Sequence, residues 1–147
     1  MSKPTVNDMM ESYAQDAVDF AQNNFKITLD YSPESIEYIE KIAAQLEASI
    51  PKSKFARLFK KGPSDEEIDQ VCKMLGGYIG EVYRRERNGE WGFNQDVAPG
   101  NLVIELKCGD LAMFPPAKVH KRLVNGAEDN LQSYFTVMVE QSWKPNA

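Results

Sequence analysis

The chain has 147 residues, 42% of them hydrophobic and 27% charged, with a formal net charge of −5. That length suits one domain, which can bury roughly two thirds of its unfolded surface without a disulfide or a metal. The acidic balance argues against general nucleic-acid binding, no run of about 18 apolar residues exists to cross a membrane, and MSKPTVNDMMESYAQD lacks a signal-peptide core, so a cytoplasmic protein is expected.

Residues 5–24 read as an amphipathic helix. Met9, Tyr13, Ala17, Phe20 and Ala21 recur at helical spacing between Asp8, Glu11, Asp16 and Asp19, and Asn23-Asn24 supplies a stop. Residues 25–30 (FKITLD) alternate apolar and polar, which predicts a half-buried strand. Ser32-Pro33-Glu34 then opens a second helix. Serine can accept from an unpaired N–H, proline suits the first helical position, and glutamate complements the positive helix end. Its apolar stripe is Ile36, Ile39, Ile42, Ala43, Leu46 and Ile50, and Pro51 ends it.

Residues 52–61 (KSKFARLFKK) hold five basic residues and no acid. With Phe55, Leu58 and Phe59 interleaved, they suit a connecting helix under solvated lysines, or a strip for a membrane surface, an anion or an acidic partner. Gly62-Pro63 punctuates the chain. Ser64-Asp65-Glu66-Glu67 is a capping box, with Ser64 reaching the N–H three residues on and Glu67 reaching back. It starts a third helix carrying Ile68, Val71, Cys72, Leu75, Ile79 and Val82 on one face. Asn88-Gly89 is its expected end, with Gly89 as a left-handed cap.

Strands are expected at 90–94, 102–107 and 110–114, separated by Pro99-Gly100 and Cys108-Gly109-Asp110. Pro115-Pro116 closes the strand region, and residues 117–124 suit a short exposed helix ended by Asn125-Gly126. In the last segment Leu131, Tyr134, Phe135 and Met138 share a helical side, yet YFTVMV is also rich in strand formers, so both structures stay open there. Strands do not alternate regularly with helices. The order therefore predicts a single α+β domain over residues 1–147, with several amphipathic helices packed on a small, mostly antiparallel sheet and frayed ends at 1–4 and 144–147.

Three glycines inside one helix, Gly76, Gly77 and Gly80, each cost about 1 kcal/mol relative to alanine. Something must offset that cost. Gly76 and Gly80 share a face, so close packing of another backbone is the first explanation, and a groove floor for a ligand is the second. The lysine-serine or lysine-threonine ending of a phosphate loop is absent, and so is dinucleotide-fingerprint spacing. Glu81 follows on the same helix and can pair with Arg84 or Arg85, or face the sheet as a partly buried carboxylate. A lone carboxylate does not supply the acid–base pair of glycoside hydrolysis. His120, the only histidine, lies among lysines and an arginine without an orienting partner, and the expected role is a surface histidine rather than a general base or metal ligand. Cys72 and Cys108 are expected to be reduced and partly buried. No cofactor or metal is expected.

The stretch Leu75-Gly76-Gly77-Tyr78-Ile79-Gly80-Glu81-Val82-Tyr83-Arg84-Arg85, followed by Gly89-Glu90-Trp91, resembles a motif of small bacterial proteins of unknown function. Lys118-Val119, Arg122-Leu123 and Asn125-Gly126 through Glu128-Asp129-Asn130-Leu131 resemble its second half. Some proteins of that type look like immunity proteins, which bind and silence a toxin. The resemblance implies a small cytosolic domain and a protein-binding role. It implies no catalytic residue.

Two functions follow as expectations. The first is a non-catalytic protein-binding module, most concretely an immunity protein for a cognate toxin or effector. Residues 1–50 carry nine acids against three bases, and residues 64–69 add four acids, so charge is segregated. Glu34, Glu37, Asp65, Glu66 and Asp69 are the candidate contacts of an acidic face. The alternative is a small-molecule-binding protein or minor enzyme whose site lies between the 76–85 helix and the sheet, near Tyr78, Glu81, Arg85 and Trp91. Homodimerisation is left open.

Overall fold

A computed structural model describes residues 3–51 and 62–142. The basic segment 52–61 and, of the ends expected to fray, residues 1–2 and 144–147 lie outside the described residues. Helix α1 spans Val6–Phe25. Thr5 and Asp8 form a reciprocal capping box, and Lys26 turns the chain through the left-handed region. Its fully buried stripe is Met10, Ala14, Ala17 and Ala21, while Met9, Tyr13 and Phe20 flank it half-buried. The apolar face is therefore centred about one position later than the spacing of the larger residues predicted.

Residues 26–30 are not a strand. The alternation is real, since Leu29 is buried and Lys26, Thr28 and Asp30 are exposed, but among the described residues no neighbouring strand pairs with the segment. An extended chain lying one face down on a core gives the same pattern without a ladder. A 3-10 turn, Pro33–Ser35, leads into α2, Ile36–Ala48, with Ser32 capping Ser35 N–H.

Helix α3, Asp65–Glu86, starts on the Ser64/Glu67 capping box and runs through the centre of the molecule. Every residue from Met74 to Tyr83 is buried, including three glycines and Glu81. The helix stops at Glu86, with Arg87 extended, so Gly89 is not its left-handed cap. Gly89 instead leads into β1 where a Cβ would crowd Leu106 Cδ1 at 3.1 Å.

Strands β1 (Glu90–Asn94), β2 (Val103–Cys108) and β3 (Leu111–Met113) form an antiparallel sheet in that order. Its register aligns Trp91, Leu106 and Met113 in one row, and all three are buried. Helix α4 covers Pro115–Asn125. It begins two residues earlier than expected because Pro115 and Pro116 open the helix, where a missing N–H costs nothing. The last segment is a helix, α5, Leu131–Ser142, with Leu131, Phe135 and Met138 buried. The fold is α+β, with five α-helices and a small antiparallel sheet among the described residues.

Glycine decides how closely the elements meet. A Cβ on Gly76 would sit 2.5 Å from Pro116 Cα, and one on Gly77 would sit 3.2 Å from Met10 O. Alanines at 14, 17 and 21 complete the close α1–α3 contact. Close packing, the first explanation for the glycines, is what they provide.

One buried ionic cluster ties α2, α4 and α5 together. Arg122, 2% exposed, donates through Nε to both Glu40 oxygens (3.0 and 2.9 Å) and through Nη1 to Glu47 Oε1 at 2.6 Å. Glu40 Oε1 also accepts the Leu131 N–H at the start of α5. The 118–122 helix is thus not an exposed basic surface throughout. Lys118 pairs with Asp129 at 2.7 Å, and Arg122 is core.

Candidate functional site

The site begins at Gly80. A Cβ there would overlap the Trp91 ring, so glycine lets the indole lie against the α3 backbone. That places Trp91 Nε1 2.8 Å from Glu81 Oε2. The same oxygen accepts Arg84 Nη1 at 2.8 Å. Arg84 reaches on to Glu11 Oε1 at 3.3 Å and donates through Nε to the Gly89 carbonyl at 3.0 Å. Burial works against the Arg84 charge, but the bonds to Glu81 and then Glu11 outweigh it and hold its pKa above the ordinary arginine value. Asn7 Oδ1 accepts the Trp91 N–H at 2.9 Å, fastening β1 to α1.

A second arm converges on Tyr31. Its φ of 63° is in the left-handed region, which is costly for a bulky residue. The Tyr31 N–H donates to Tyr78 Oη at 2.8 Å, and Tyr78 Oη lies 2.6 Å from Ser35 Oγ. Ser35 Oγ donates to the Ser32 carbonyl, which leaves it to accept from Tyr78. The chain of donors runs one way and pins the strained turn. Burial raises the Tyr78 phenol above its ordinary pKa, and the Ser35 bond offsets part of that rise.

The Arg85 guanidinium lies 3.6 Å from the Tyr31 ring centroid, while Tyr31 packs on Tyr78 at 4.9 Å. Arg85 is exposed, and it has no carboxylate partner among the described residues. Burial pushes the Tyr31 phenol up, and the Arg85 charge pulls it part of the way back.

The two arms border one open, polar cleft of about 740 Å³, lined by Asn7, Glu11, Tyr31, Glu81, Arg84 and Arg85 with the turn into β1. Of the residues expected near a groove, Glu81 and Arg85 line it, and Tyr78 and Trp91 support it from the core. Glu81 carries out both roles foreseen for it, as ion-pair partner of Arg84 and as buried carboxylate against the sheet. Arg85 does not pair with it. Tyr31, Glu11 and Asn7 were not singled out from the sequence. Glu11 sits among other acids on the polar side of α1, and nothing in the residue type at 31 signals positive φ.

The acidic candidates fall in two places. Glu34 and Glu37 stand at the start of α2, beside the end of α3 that carries Tyr78. Asp65, Glu66 and Asp69 stand in the first turns of α3. Thirteen residues separate Asp65 from Tyr78, about 20 Å along the helix. The five do not make one patch. Glu37 pairs with Lys41 at 3.4 Å and Asp69 with Lys73 at 2.8 Å.

His120 is exposed on α4. The buried Cys72 thiol is pushed up to about 12 by burial and then by Asp69, and Cys108 is half-buried in β2. Among the described residues no group of three or more His, Cys, Asp or Glu side chains could hold a metal, and no helix is long and apolar enough to cross a membrane. In comparisons with known proteins the chain matches no family model, no curated protein and no solved structure.

Proposed function

We propose that the chain is a non-catalytic protein-binding module and that the polar cleft beside α3 receives a segment of its partner. The observation that carries this reading is the Arg85 guanidinium stacked on Tyr31 without a carboxylate partner among the described residues. Stacking fixes the side chain before binding, so less freedom is lost on association. The guanidinium plane keeps donors for a carboxylate or carbonyl of the incoming chain. Arginine and tyrosine are also the residue types that most often dominate binding energy at protein interfaces. Glu11, which lines the same cleft from α1 and is half exposed, would accept from partner N–H groups. The natural ligand is therefore a polar peptide segment that offers an acid to Arg85.

The finer reading is a cytoplasmic immunity protein that neutralises a cognate toxin. It is supported by the resemblance of the α3 and α4 motifs and by the acidic balance of the chain. Co-expression with the product of the adjacent gene tests it. Protection of the host and a stable complex are expected, and a harmless neighbour or no protection would refute the immunity role. Within that complex, Arg85→Glu tests the cleft. It should weaken binding by about 30-fold or more while leaving thermal stability unchanged. Unchanged affinity would remove the cleft from the interface.

A small-molecule site in the same cleft is the second reading. Its volume falls within the usual range of roughly 300–1,000 Å³. Its open, mainly polar lining favours a peptide over a compact apolar ligand.

A further inference from the structure

On the other side of the 31–34 loop lies a groove of about 410 Å³ that is mainly apolar. Pro33, Phe135 and Val139 give it an apolar surface. Glu34, Glu86 and Glu140 stand around it. None of these three carboxylates has a hydrogen bond or ion pair to its side chain among the described residues. Exposed acids such as Asp16, Asp65 and Glu66 also lack one among the described residues, but these three stand together around one apolar groove that has no base in its lining. Glu37, Asp69, Glu81 and Asp129 each face a cation. Glu40 and Glu47 face Arg122. The groove also has a direction. Residues 132, 135, 136, 139 and 140 all belong to α5 and follow one another at helical spacing along its axis. A second helix laid alongside α5 fits such a surface.

We infer that this groove docks a basic amphipathic helix of a partner protein, with the helix's apolar side chains on Phe135 and Val139 and its lysines or arginines opposite Glu34, Glu86 and Glu140. Apolar burial would supply the affinity. The three unpaired acids would select for basic residues, because an acidic helix would place like charges together at the rim. The inference stands apart from the cleft at Arg85, since it uses other residues and the opposite charge preference.

The test uses the full chain and a labelled synthetic peptide with leucines at helical spacing between lysines. Three controls accompany it: a peptide of equal charge with serine for leucine, the variant Arg85→Glu, and a variant with Asp65→Lys and Glu66→Lys at the far end of α3. The triple variant Glu34→Lys, Glu86→Lys, Glu140→Lys should weaken binding by about 10- to 100-fold. The far-end variant should change it by less than about threefold. The serine peptide should bind poorly. Amide shifts in the wild-type chain should concentrate at residues 34, 86 and 132–140, which keeps the proposal testable even where the triple variant folds badly. Equal loss in the far-end variant, equal binding of the serine peptide, or shifts away from the groove would overturn it. Loss of peptide binding in Arg85→Glu would place the helix in the cleft instead and also overturn it.

Discussion

Replacing Gly80 with alanine gives two opposite expectations, and the structure decides between them. Helix propensity alone predicts that alanine stabilises α3 by about 1 kcal/mol. In the fold, however, the added Cβ would overlap the Trp91 ring, which is 6% exposed and anchored through Nε1 to Glu81. Either the indole stays and the contact is overpacked, at roughly 1–3 kcal/mol, or it swings away and loses a bond to a charged group worth roughly 1.5–3 kcal/mol. A mixture of the two routes leaves a net loss of up to about 2 kcal/mol after the propensity gain. For a chain of this size that is a fall in Tm of up to about 8 °C. Urea and thermal unfolding followed by far-UV circular dichroism measure it. A Trp91→Leu background supplies the control, because there the Gly80→Ala loss should shrink or reverse as the obstacle is removed. Stabilisation of the wild-type background by Gly80→Ala, or an equal loss in both backgrounds, would refute the claim that the glycine exists to seat the indole.

Tyr83 is fully buried, and its hydroxyl lies beside Cys108 and Ser142 without a well-formed hydrogen bond among the described residues; burial and then Cys108 raise its pKa to about 12. Tyr83→Phe should be neutral or stabilise by up to about 1 kcal/mol in urea unfolding, and a loss larger than that would reveal a partner for the hydroxyl. Arg122→Ala should cost about 3–5 kcal/mol, since it strips Glu40 of its guanidinium inside the fold, and Arg122→Lys should cost less without restoring the paired bonds. Asp8, Asp30 and Asp129 are held below the ordinary carboxyl pKa of 3.8, by the Thr5 backbone N–H, the Ser32 hydroxyl and Lys118 respectively. Carboxyls lowered by folding add stability above their unfolded pKa and lose it as pH falls through the folded one, so the urea midpoint should drop below about pH 4 and fall less steeply in Asp129→Asn.

Much of the scaffold was legible in the sequence because it rests on local rules. Ser64 and Glu67 cap α3 through bonds that span three residues, and Ser32-Pro33 announces the turn into α2 in the same way. The matching Thr5/Asp8 box follows the same spacing and could have been found. The glycines of α3 also signalled close approach correctly. What sequence could not supply was the partner on the other side of each contact. Residues 25–30 alternate as a strand does, but alternation records which side faces the core and not whether a neighbouring strand exists. The acids at 34, 37, 65, 66 and 69 looked like one group only along the chain, and helix length carries them apart.

The arginines show why the candidate site was the hardest part to read. Arg84, Arg85 and Arg122 all occur in short basic runs, and no local rule distinguishes them. The fold does so through distance. Arg122 falls between α2 and α5, where leaving it unpaired would be costly, and Glu40 and Glu47 meet it. Arg84 points its bonds at Glu81 and Glu11, which ties α3 to α1 and holds the carboxylate that also receives Trp91. Arg85, one residue later, is also within reach of Glu81 by helical spacing, yet it lands on Tyr31 instead and pairs with neither acid. Its neighbour Tyr31 is held in a left-handed conformation by a donor chain that reaches back through Tyr78 to Ser32. A strained aromatic carrying an arginine with no acid among the described residues is an arrangement that packing alone does not require. Arg84 closes the cleft wall, and Arg85 lines the cleft beside it as an exposed cation without an acid among the described residues.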